Sequence, residues 1–283
     1  MKRAFSLTVI VLVLAALLPF NALMQESPVL RLELSGVNSL DLPHVELTMN
    51  VYDALGQPVA GLTAEDFTIT GPLAEFARDV TVESVASSEL PFASVLVIDA
   101  SESMAGVPLQ RAKEAARLFV QTVRPIDPVA VIAFGSTIEL LQDFTTDKDA
   151  LMQAIDSIDL LGRTALYQAA DDGVRLASNS PVPRRALILL SDGAEYGGLS
   201  TATAADAITN AFLSGVPGYT IGLGYGAERP FLEGLSRATE ARFYESPTPE
   251  ELDEIYAALA QRLSSQYIIS MTVDVPLDGR LYD

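Results

Sequence analysis

The stretch Ser94–Ser103, with the sequence SVLVIDASES, restricts the fold more than any other part of the chain. Its first half, Val95–Ile98, is an unbroken run of β-branched and aliphatic residues, which is typical of a central strand covered by helices on both faces. Asp99, Ser101 and Ser103 follow at alternating positions just after this predicted strand. In open α/β sheets, ligands bind at this carboxyl edge. The stretch therefore predicts a parallel, doubly covered sheet with polar oxygen atoms at its edge.

The polar residues after the strand offer only hard oxygen donors, which suit Mg²⁺, Mn²⁺ or Ca²⁺ and do not suit zinc. An alternative interpretation is that Ser101 or Ser103 only caps the following helix. Two later residues favour the metal: Thr164, at a loop-to-helix junction, and Asp192, after the apolar strand Ala186–Leu190. Their own alternatives are an N-cap and a turn residue before a glycine. Three hydroxyls and two carboxylates at one sheet edge can satisfy an octahedral cation, with water completing the shell.

Short apolar strands alternate with amphipathic helices between residues 92 and 264. Further strands are predicted at Val129–Phe134, Ile138–Leu141, Ala186–Leu190 and Tyr219–Leu223, and helices begin near Pro108, Thr146, Thr164 and Thr248. The last of these starts has Glu251 three residues after Thr248, which is the spacing of a capping box. This alternation predicts an α/β fold with a doubly wound, mostly parallel sheet and helices on both of its faces.

The residues on either side of this region alternate with period two instead. The apolar residues at alternating positions from Val45 to Val51 indicate a half-buried antiparallel strand, and Tyr267–Val275 repeats the pattern near the C-terminus. We therefore expect a small β-sandwich domain over residues 28–90. Because so few strands rarely form an independent sandwich, residues 266–283 are expected to complete it, beside an α/β domain over residues 92–264.

The N-terminus has the layout of an export signal, since Lys2 and Arg3 precede the apolar run Ala4–Phe20. Ala22 is the best small residue for cleavage. Residues 1–24 are therefore either a cleaved signal peptide or an uncleaved signal anchor, because the run approaches membrane-spanning length. In both cases the rest of the chain is expected outside the cytoplasm, as a secreted, periplasmic or N-terminally anchored protein.

The composition excludes several classes of function. The formal net charge is −19, from 37 acidic and 18 basic residues, which argues against nucleic acid as a partner. It also disfavours anionic membrane surfaces and favours cation binding. The absence of cysteine excludes disulfides, thiolate metal sites and thiol catalysis. The single histidine, His44, excludes a multi-histidine zinc site and leaves little scope for a Ser-His-Asp triad.

Four pieces of the chain, DASESMAG, FTTDKDALMQAI, GRTALYQA and LLSDG, resemble the von Willebrand factor A (VWA) domain family over about Phe92 to Ser264. The family's metal-ion-dependent adhesion site, or MIDAS, carries over to Asp99, Ser101, Ser103, Thr164 and Asp192. The resemblance implies a divalent cation that keeps one position for an acidic group of a partner protein. Mg²⁺ is the expected ion, with Mn²⁺ and Ca²⁺ as alternatives. Glu102 and Arg163 depart from the family pattern, since both stand where glycine is common.

A second resemblance concerns the segment VYDALGQPVAGLTAEDFTI, which is similar to the β-sandwich that precedes such domains in bacterial exported proteins. Together the two resemblances imply an exported, metal-dependent protein-binding or adhesion module that is not an enzyme.

Two alternatives stay open. A metal-dependent hydrolase or phosphotransferase would need a general base near the ion, and only Glu102 and the coordinating carboxylates are candidates. The chain has no G-x-x-x-x-G-K-[ST] motif, so a P-loop ATPase is excluded. The other alternative is a structural scaffold whose metal ion only stabilises the fold.

Overall fold

Strands and helices alternate along most of the chain. The computed structural model describes residues 10–12, 30–38, 41–72, 74–87, 89, 91–182 and 184–274. The strands are β1 Ile10–Leu12, β2 Arg31–Asn38, β3 His44–Tyr52, β4 Thr68–Thr70, β5 Ala77–Ser84, β6 Ala93–Asp99, β7 Val129–Phe134, β8 Ile138–Thr145, β9 Arg185–Ser191, β10 Gly218–Leu223, β11 Phe243–Ser246 and β12 Tyr267–Val273. The helices are α1 Val107–Thr122, α2 Lys148–Asp156, α3 Leu166–Ser178, α4 Ala204–Ser214, α5 Arg229–Ala238 and α6 Leu252–Ser264.

The first of two compact units, here called the α/β unit, is Glu89–Ser264. Its six strands lie in the order β11-β10-β9-β6-β7-β8. All neighbouring pairs are parallel except β7 and β8, which are antiparallel. The sheet is thus mixed and mostly parallel. Its centre is the strand pair β6 and β9, and Asp99 and Asp192 lie at the carboxyl ends of these two strands.

Helices cover both faces of this sheet, as the continuous apolar strands predict. Leu96 and Ile98 of β6 face one buried cluster, which includes residues of α1, α2 and α6. Val95 and Val97 face the opposite cluster, with residues of α3, α4 and α5. Because successive strand residues point to opposite faces, a strand buried on both sides must be apolar throughout. After the apolar run Val95–Ile98, the buried carboxylate of Asp99 lies at the carboxyl end of β6.

The second compact unit, here called the β unit, takes its described residues from Met1–Ser88 and Ser265–Asp283. Its main sheet is antiparallel, with the strand order β2-β3-β12-β5. The C-terminal strand β12 lies between the two N-terminal strands: Ile269 pairs with Leu47 of β3 on one side and with Val82 of β5 on the other. Leu47 and Ile269 belong to one apolar cluster, so the period-two pattern did identify the buried face.

The predicted β-sandwich is not confirmed. In the described part of the β unit, the apolar face of the four-stranded sheet is covered by a segment that includes Phe67 and Ile69, and not by a second sheet of similar size. Ile69 lies in β4, which has three residues and pairs only with β1. The predicted signal segment, residues 1–24, and the end of the C-terminal segment lie outside the described residues, apart from the backbone of β1.

One local prediction is wrong. The Thr248 side chain makes no capping hydrogen bond, and a short 3₁₀ helix, Pro249–Glu251, precedes α6. The amide of Glu251, which the capping box would direct to the Thr248 hydroxyl, donates instead to the Thr248 carbonyl at 3.3 Å. The tighter 3₁₀ turn therefore gives the Glu251 amide a backbone acceptor in place of the Thr248 hydroxyl.

In the described residues, no helix is both long and apolar enough to cross a membrane.

Candidate functional site

Asp99 ends β6 and is completely buried. Its Oδ1 accepts a hydrogen bond from the amide of Ser101 at 2.8 Å, which closes a tight turn at the strand end. Its Oδ2 accepts a hydrogen bond from the hydroxyl of Ser191, the last residue of the neighbouring strand β9, at 2.5 Å. Both oxygens are thus held by groups of the protein, and the carboxylate has a fixed orientation.

Burial raises the pKa of Asp99 from its ordinary value of 3.8 to about 6. The hydrogen bonds from Ser101 and Ser191 oppose this rise, because they stabilise the ionised form, and the nearby Asp192 carboxylate adds to it. A cation bound beside Asp99 would lower the pKa of this carboxyl group, because a positive charge stabilises the ionised form.

Ser101 and Ser103 connect the buried Asp99 turn to the surface. The hydroxyl oxygens of the two serines are 3.0 Å apart, and the hydroxyl of Ser103 donates to Oδ1 of Asp192 at 2.6 Å. Ser101 is buried and Ser103 is exposed. Ser101 occupies the N-cap of the short 3₁₀ helix Glu102–Met104, but its side chain makes no capping hydrogen bond. The capping interpretation of Ser101 is therefore not supported.

Thr164 is buried in the loop before α3, and its hydroxyl faces the loop that follows β9. A Cβ atom placed on Gly193 would lie 3.1 Å from Oγ1 of Thr164 and 3.7 Å from the hydroxyl oxygen of Ser103. The two hydroxyls therefore border the same small space, which a side chain at residue 193 would narrow. The N-cap of α3 is Ala165, so Thr164 does not have the capping role that its sequence position suggested.

Asp192 follows β9 and is only partly buried. Burial raises its pKa, and the hydrogen bond from Ser103 opposes the rise. The structure thus brings Asp99, Ser101, Ser103 and Asp192 together through hydrogen bonds and places Thr164 beside them across Gly193. These five residues are called the candidate site below.

Backbone hydrogen bonds hold the loops of the candidate site in place. The amide of Leu161 donates to the carbonyl of Ala100 at 2.7 Å, and the amide of Glu102 donates to the carbonyl of Gly162 at 2.6 Å. The Thr164 loop is thereby attached to the turn that follows β6. A Cβ atom on Gly135 would lie 2.5 Å from the Leu161 carbonyl oxygen, so the loop after β7 also fits closely against it. The site is therefore held by the fold before any ligand arrives.

A polar network that the sequence did not predict fixes the Asp192 loop. Glu195 accepts hydrogen bonds from the amides of Tyr167 at 3.1 Å and Ser200 at 3.2 Å. Its own amide donates to Glu228 at 2.9 Å, and Glu228 also accepts from the Tyr167 hydroxyl. Burial, and then Glu228, raises the pKa of Tyr167 to about 12. Nothing in the local sequence joins residues 167, 195 and 228, because only the tertiary fold brings these loops together.

Ser191 is a further residue near the site that the sequence did not single out. It is completely buried and donates to Asp99. The available signal was a hydroxyl at the end of the otherwise apolar strand ALILLS, where a buried polar side chain requires a partner.

A cavity of about 340 Å³ lies elsewhere, in the β unit, where Asp41, His44, Asp79 and Thr272 are among its lining residues. Neither there nor anywhere else in the described part of the chain do three His, Cys, Asp or Glu side chains gather in a cluster that could hold a metal ion. The candidate site differs in kind, because three of its five residues, Ser101, Ser103 and Thr164, offer hydroxyl oxygens.

Residues 94–195 match the family model described as von Willebrand factor type A domain. The match includes all five residues of the candidate site and lies within the α/β unit. This match, together with the mixed sheet and its two helical layers, makes the α/β unit similar to a VWA domain.

A curated relative from Mycobacterium sp. (strain KMS), named UPF0353 protein, is 28% identical over 204 residues. The match covers 62% of this chain and 61% of the relative, so the chain spans less than two thirds of that protein's length.

Solved structures share the fold at low identity. The von Willebrand factor type A protein from Catenulispora acidiphila superposes with a TM-score of 0.57 at 14% identity, covering 91% of this chain and 68% of that one. Proximal thread matrix protein 1 from the mussel byssus, described with a zinc-occupied MIDAS motif, gives a TM-score of 0.54 at 19% identity and covers 70% of this chain and 50% of that one. At these identities the likeness concerns the fold alone.

Proposed function

We propose that the chain is an exported, metal-dependent protein-binding module. In this proposal Asp99, Ser101, Ser103, Thr164 and Asp192 hold a divalent cation, and Mg²⁺ is the expected ion. When bound, the cation supplies a positive charge with one position open to a carboxylate of a partner protein. The observation that carries the proposal is the continuous set of oxygen atoms from Ser101 through Ser103 to Asp192.

The spacing of these oxygens supports the proposal. Adjacent ligands of an octahedral Mg²⁺, each at about 2.1 Å from the ion, are about 3.0 Å apart. The Ser101 and Ser103 hydroxyl oxygens are 3.0 Å apart, and Ser103 lies 2.6 Å from the Asp192 oxygen. The distances between these donors therefore fit the edges of such a shell with little movement. Gly193 has no side chain and therefore leaves space beside Thr164 for the cation.

The gradient of burial supports a role in binding another protein. Asp99 and Ser101 are buried at the base of the site, whereas Ser103 and its neighbour Glu102 are exposed. A partner can therefore reach the outer side of the site while the protein shields the inner side. Since hydroxyls donate no negative charge, a cation held mainly by them keeps more attraction for an external carboxylate.

The chemistry of the exposed rim gives no support to catalysis, and the proposal assigns none to the site. Glu102 is exposed at the rim, where water solvates its carboxylate, so it lacks the buried environment that usually tunes a general base.

The proposal also places the chain outside the cytoplasm, because residues 1–24 have the layout of a signal peptide or signal anchor. The division into a β domain over residues 28–90 and 266–283 and an α/β domain over residues 92–264 belongs to the same proposal.

Calorimetric titration of Mg²⁺, Mn²⁺ and Ca²⁺ into the full-length chain tests the proposal. We expect saturable binding, weakened roughly ten-fold or more in Ser103→Ala because a ligand oxygen is lost. Ser178→Ala is the matched control: it removes a hydroxyl that bonds only the Val174 carbonyl, at the far end of α3. Absence of saturable binding in the parent chain would contradict the proposal.

Thr164→Val separates partner capture from the scaffold alternative. The change removes the hydroxyl and keeps a side chain of similar shape. The proposal expects weaker binding of an acetylated, amidated aspartate peptide to the metal-loaded chain, with little change in the free energy of unfolding. A loss of metal-dependent stability without a loss of peptide binding would favour the scaffold instead.

A further inference from the structure

Arg163 and Tyr196 form a cation–aromatic pair beside the candidate site. The guanidinium carbon of Arg163 lies 4.2 Å from the centroid of the Tyr196 ring. Both residues are exposed, and Tyr196 has 46% of its surface accessible. Stacking on an aromatic ring restricts the long arginine side chain while the N–H groups at the guanidinium edge stay available.

The backbone attaches both members of this pair to Thr164. Arg163 directly precedes Thr164, and its amide donates to the hydroxyl oxygen of Ser136 at 2.8 Å. The amide of Tyr196 donates to the Thr164 carbonyl at 2.8 Å. Consecutive Cα atoms are about 3.8 Å apart, and the Tyr196 amide is hydrogen-bonded to Thr164. The backbones of Arg163 and Tyr196 therefore both lie within a few ångströms of Thr164. The charge of Arg163 is therefore held at the rim of this site.

Six arginines of the α/β unit differ from Arg163 in their charge environment. Carboxylates of the same unit pair with Arg111, Arg117, Arg124, Arg175, Arg229 and Arg237. Among the described residues, Arg163 forms no ion pair, and neither do Arg185 and Arg242, but these two lie at the amino ends of β9 and β11, away from the candidate site. In a chain with 37 acidic and 18 basic residues, a restrained and unpaired guanidinium beside a carboxylate-accepting site is a feature that internal stability does not explain.

We infer that Arg163 is a second recognition point, and that the preferred ligand is an acidic segment with a further carboxylate beside the one that approaches the candidate site. This inference rests on the proposed function. A guanidinium donates two parallel hydrogen bonds to a carboxylate, so it selects a second acidic group and also orients it.

Two acetylated, amidated peptides, Ala-Asp-Glu-Ala and Ala-Asp-Gln-Ala, test the inference against the full-length chain loaded with Mn²⁺. Paramagnetic broadening of the peptide signals reports approach to the ion, and titration gives the affinity of each peptide. We expect the doubly acidic peptide to bind about two- to five-fold more tightly, which is the range measured for exposed ion pairs. In Arg163→Gln the two peptides are expected to bind with about equal affinity. The preference also decreases with added salt.

Arg237→Gln is the matched control, because it removes the same charge from the last turn of α5. This variant is expected to keep the preference. Equal binding of the two peptides by the parent chain would overturn the inference and leave the proposed function standing. A preference that survives in Arg163→Gln, or that disappears equally in Arg237→Gln, would also overturn it. Absence of broadening with both peptides, in a chain that binds Mn²⁺, would instead overturn the capture of carboxylates itself.

Discussion

Asp99 and Asp192 leave neighbouring strands at the same edge of the sheet, but the protein treats the two carboxylates differently. Asp99 is completely buried, and a backbone amide and the Ser191 hydroxyl occupy its two oxygens. Asp192 is partly exposed and accepts a hydrogen bond from the exposed Ser103. The comparison indicates that Asp99 belongs to the core and fixes the base of the site, whereas Asp192 belongs to the surface that a ligand meets.

The largest expected effect is the pH dependence of stability in the metal-free chain. The folded-state pKa of Asp99 is about 6, against an ordinary value of 3.8. Between these values the folded chain binds more protons than the unfolded chain. The proton bound to Asp99 therefore stabilises the folded state fully below pH 3.8. This contribution to the free energy of unfolding is lost as the pH rises through about 6. A shift of about two pKa units corresponds to about 3 kcal/mol. Urea unfolding with a chelator present, at several pH values, measures this loss.

Substitution of each carboxylate separates their contributions to this loss. Asp99→Asn should remove most of the decrease in unfolding free energy between pH 4 and pH 7, because an amide does not titrate. Asp192→Asn should remove a smaller part, since Asp192 is only partly buried. Identical pH profiles for the parent chain and Asp99→Asn would show that the buried carboxylate does not behave differently from the exposed one.

The hydroxyl partners of the two carboxylates provide the second test. Ser191→Ala removes a buried donor from an ionised acceptor and should lower the free energy of unfolding by about 2 kcal/mol at pH 8. The cost should be smaller at pH 5, where Asp99 is mostly neutral. Ser103→Ala removes an exposed donor and should change stability by less than about 0.5 kcal/mol at either pH. Equal costs for the two variants, measured by chemical denaturation, would contradict the assignment of Asp99 to the core and Asp192 to the surface.

The smallest expected effect concerns Gly193, which separates Thr164 from the Asp192 side of the site. In Gly193→Ala the new methyl group would lie 3.1 Å from Oγ1 of Thr164, so that hydroxyl must shift by a few tenths of an ångström. We expect roughly five-fold weaker Mg²⁺ binding, about 1 kcal/mol. Gly197→Ala is the control, because an added Cβ atom there meets no atom within 4 Å. Calorimetric titration of both variants distinguishes a local clash from a general effect of alanine.

The sequence was most informative where burial leaves a strong pattern. The continuous apolar runs ending at Asp99 and before Asp192 identified two central strands, and therefore the sheet edge at which both carboxylates lie. Helices α4, Ala204–Ser214, and α5, Arg229–Ala238, and strand β11, Phe243–Ser246, were not predicted. Strand β11 is short, and at the edge of the sheet it has mixed burial, so it lacks the continuous apolar run of a central strand.

Contacts between distant loops could not be predicted from local patterns. Glu195, Glu228 and Tyr167 look like ordinary surface residues in the sequence, and only the fold joins them into one network. The T-x-x-D spacing at Thr203 forms a real capping box at the start of α4, whereas T-x-x-E at Thr248 does not. The spacing alone therefore does not decide whether the side-chain hydrogen bonds form.

The position of β12 between β3 and β5 has a consequence for synthesis of the chain. About 180 residues separate the end of β5 from the start of β12, which takes on the order of ten to forty seconds of translation. During that interval β3 and β5 each lack their shared neighbour and expose unpaired amides and carbonyls along one edge. The nascent β unit is therefore open to wrong strand pairing until the last strand arrives.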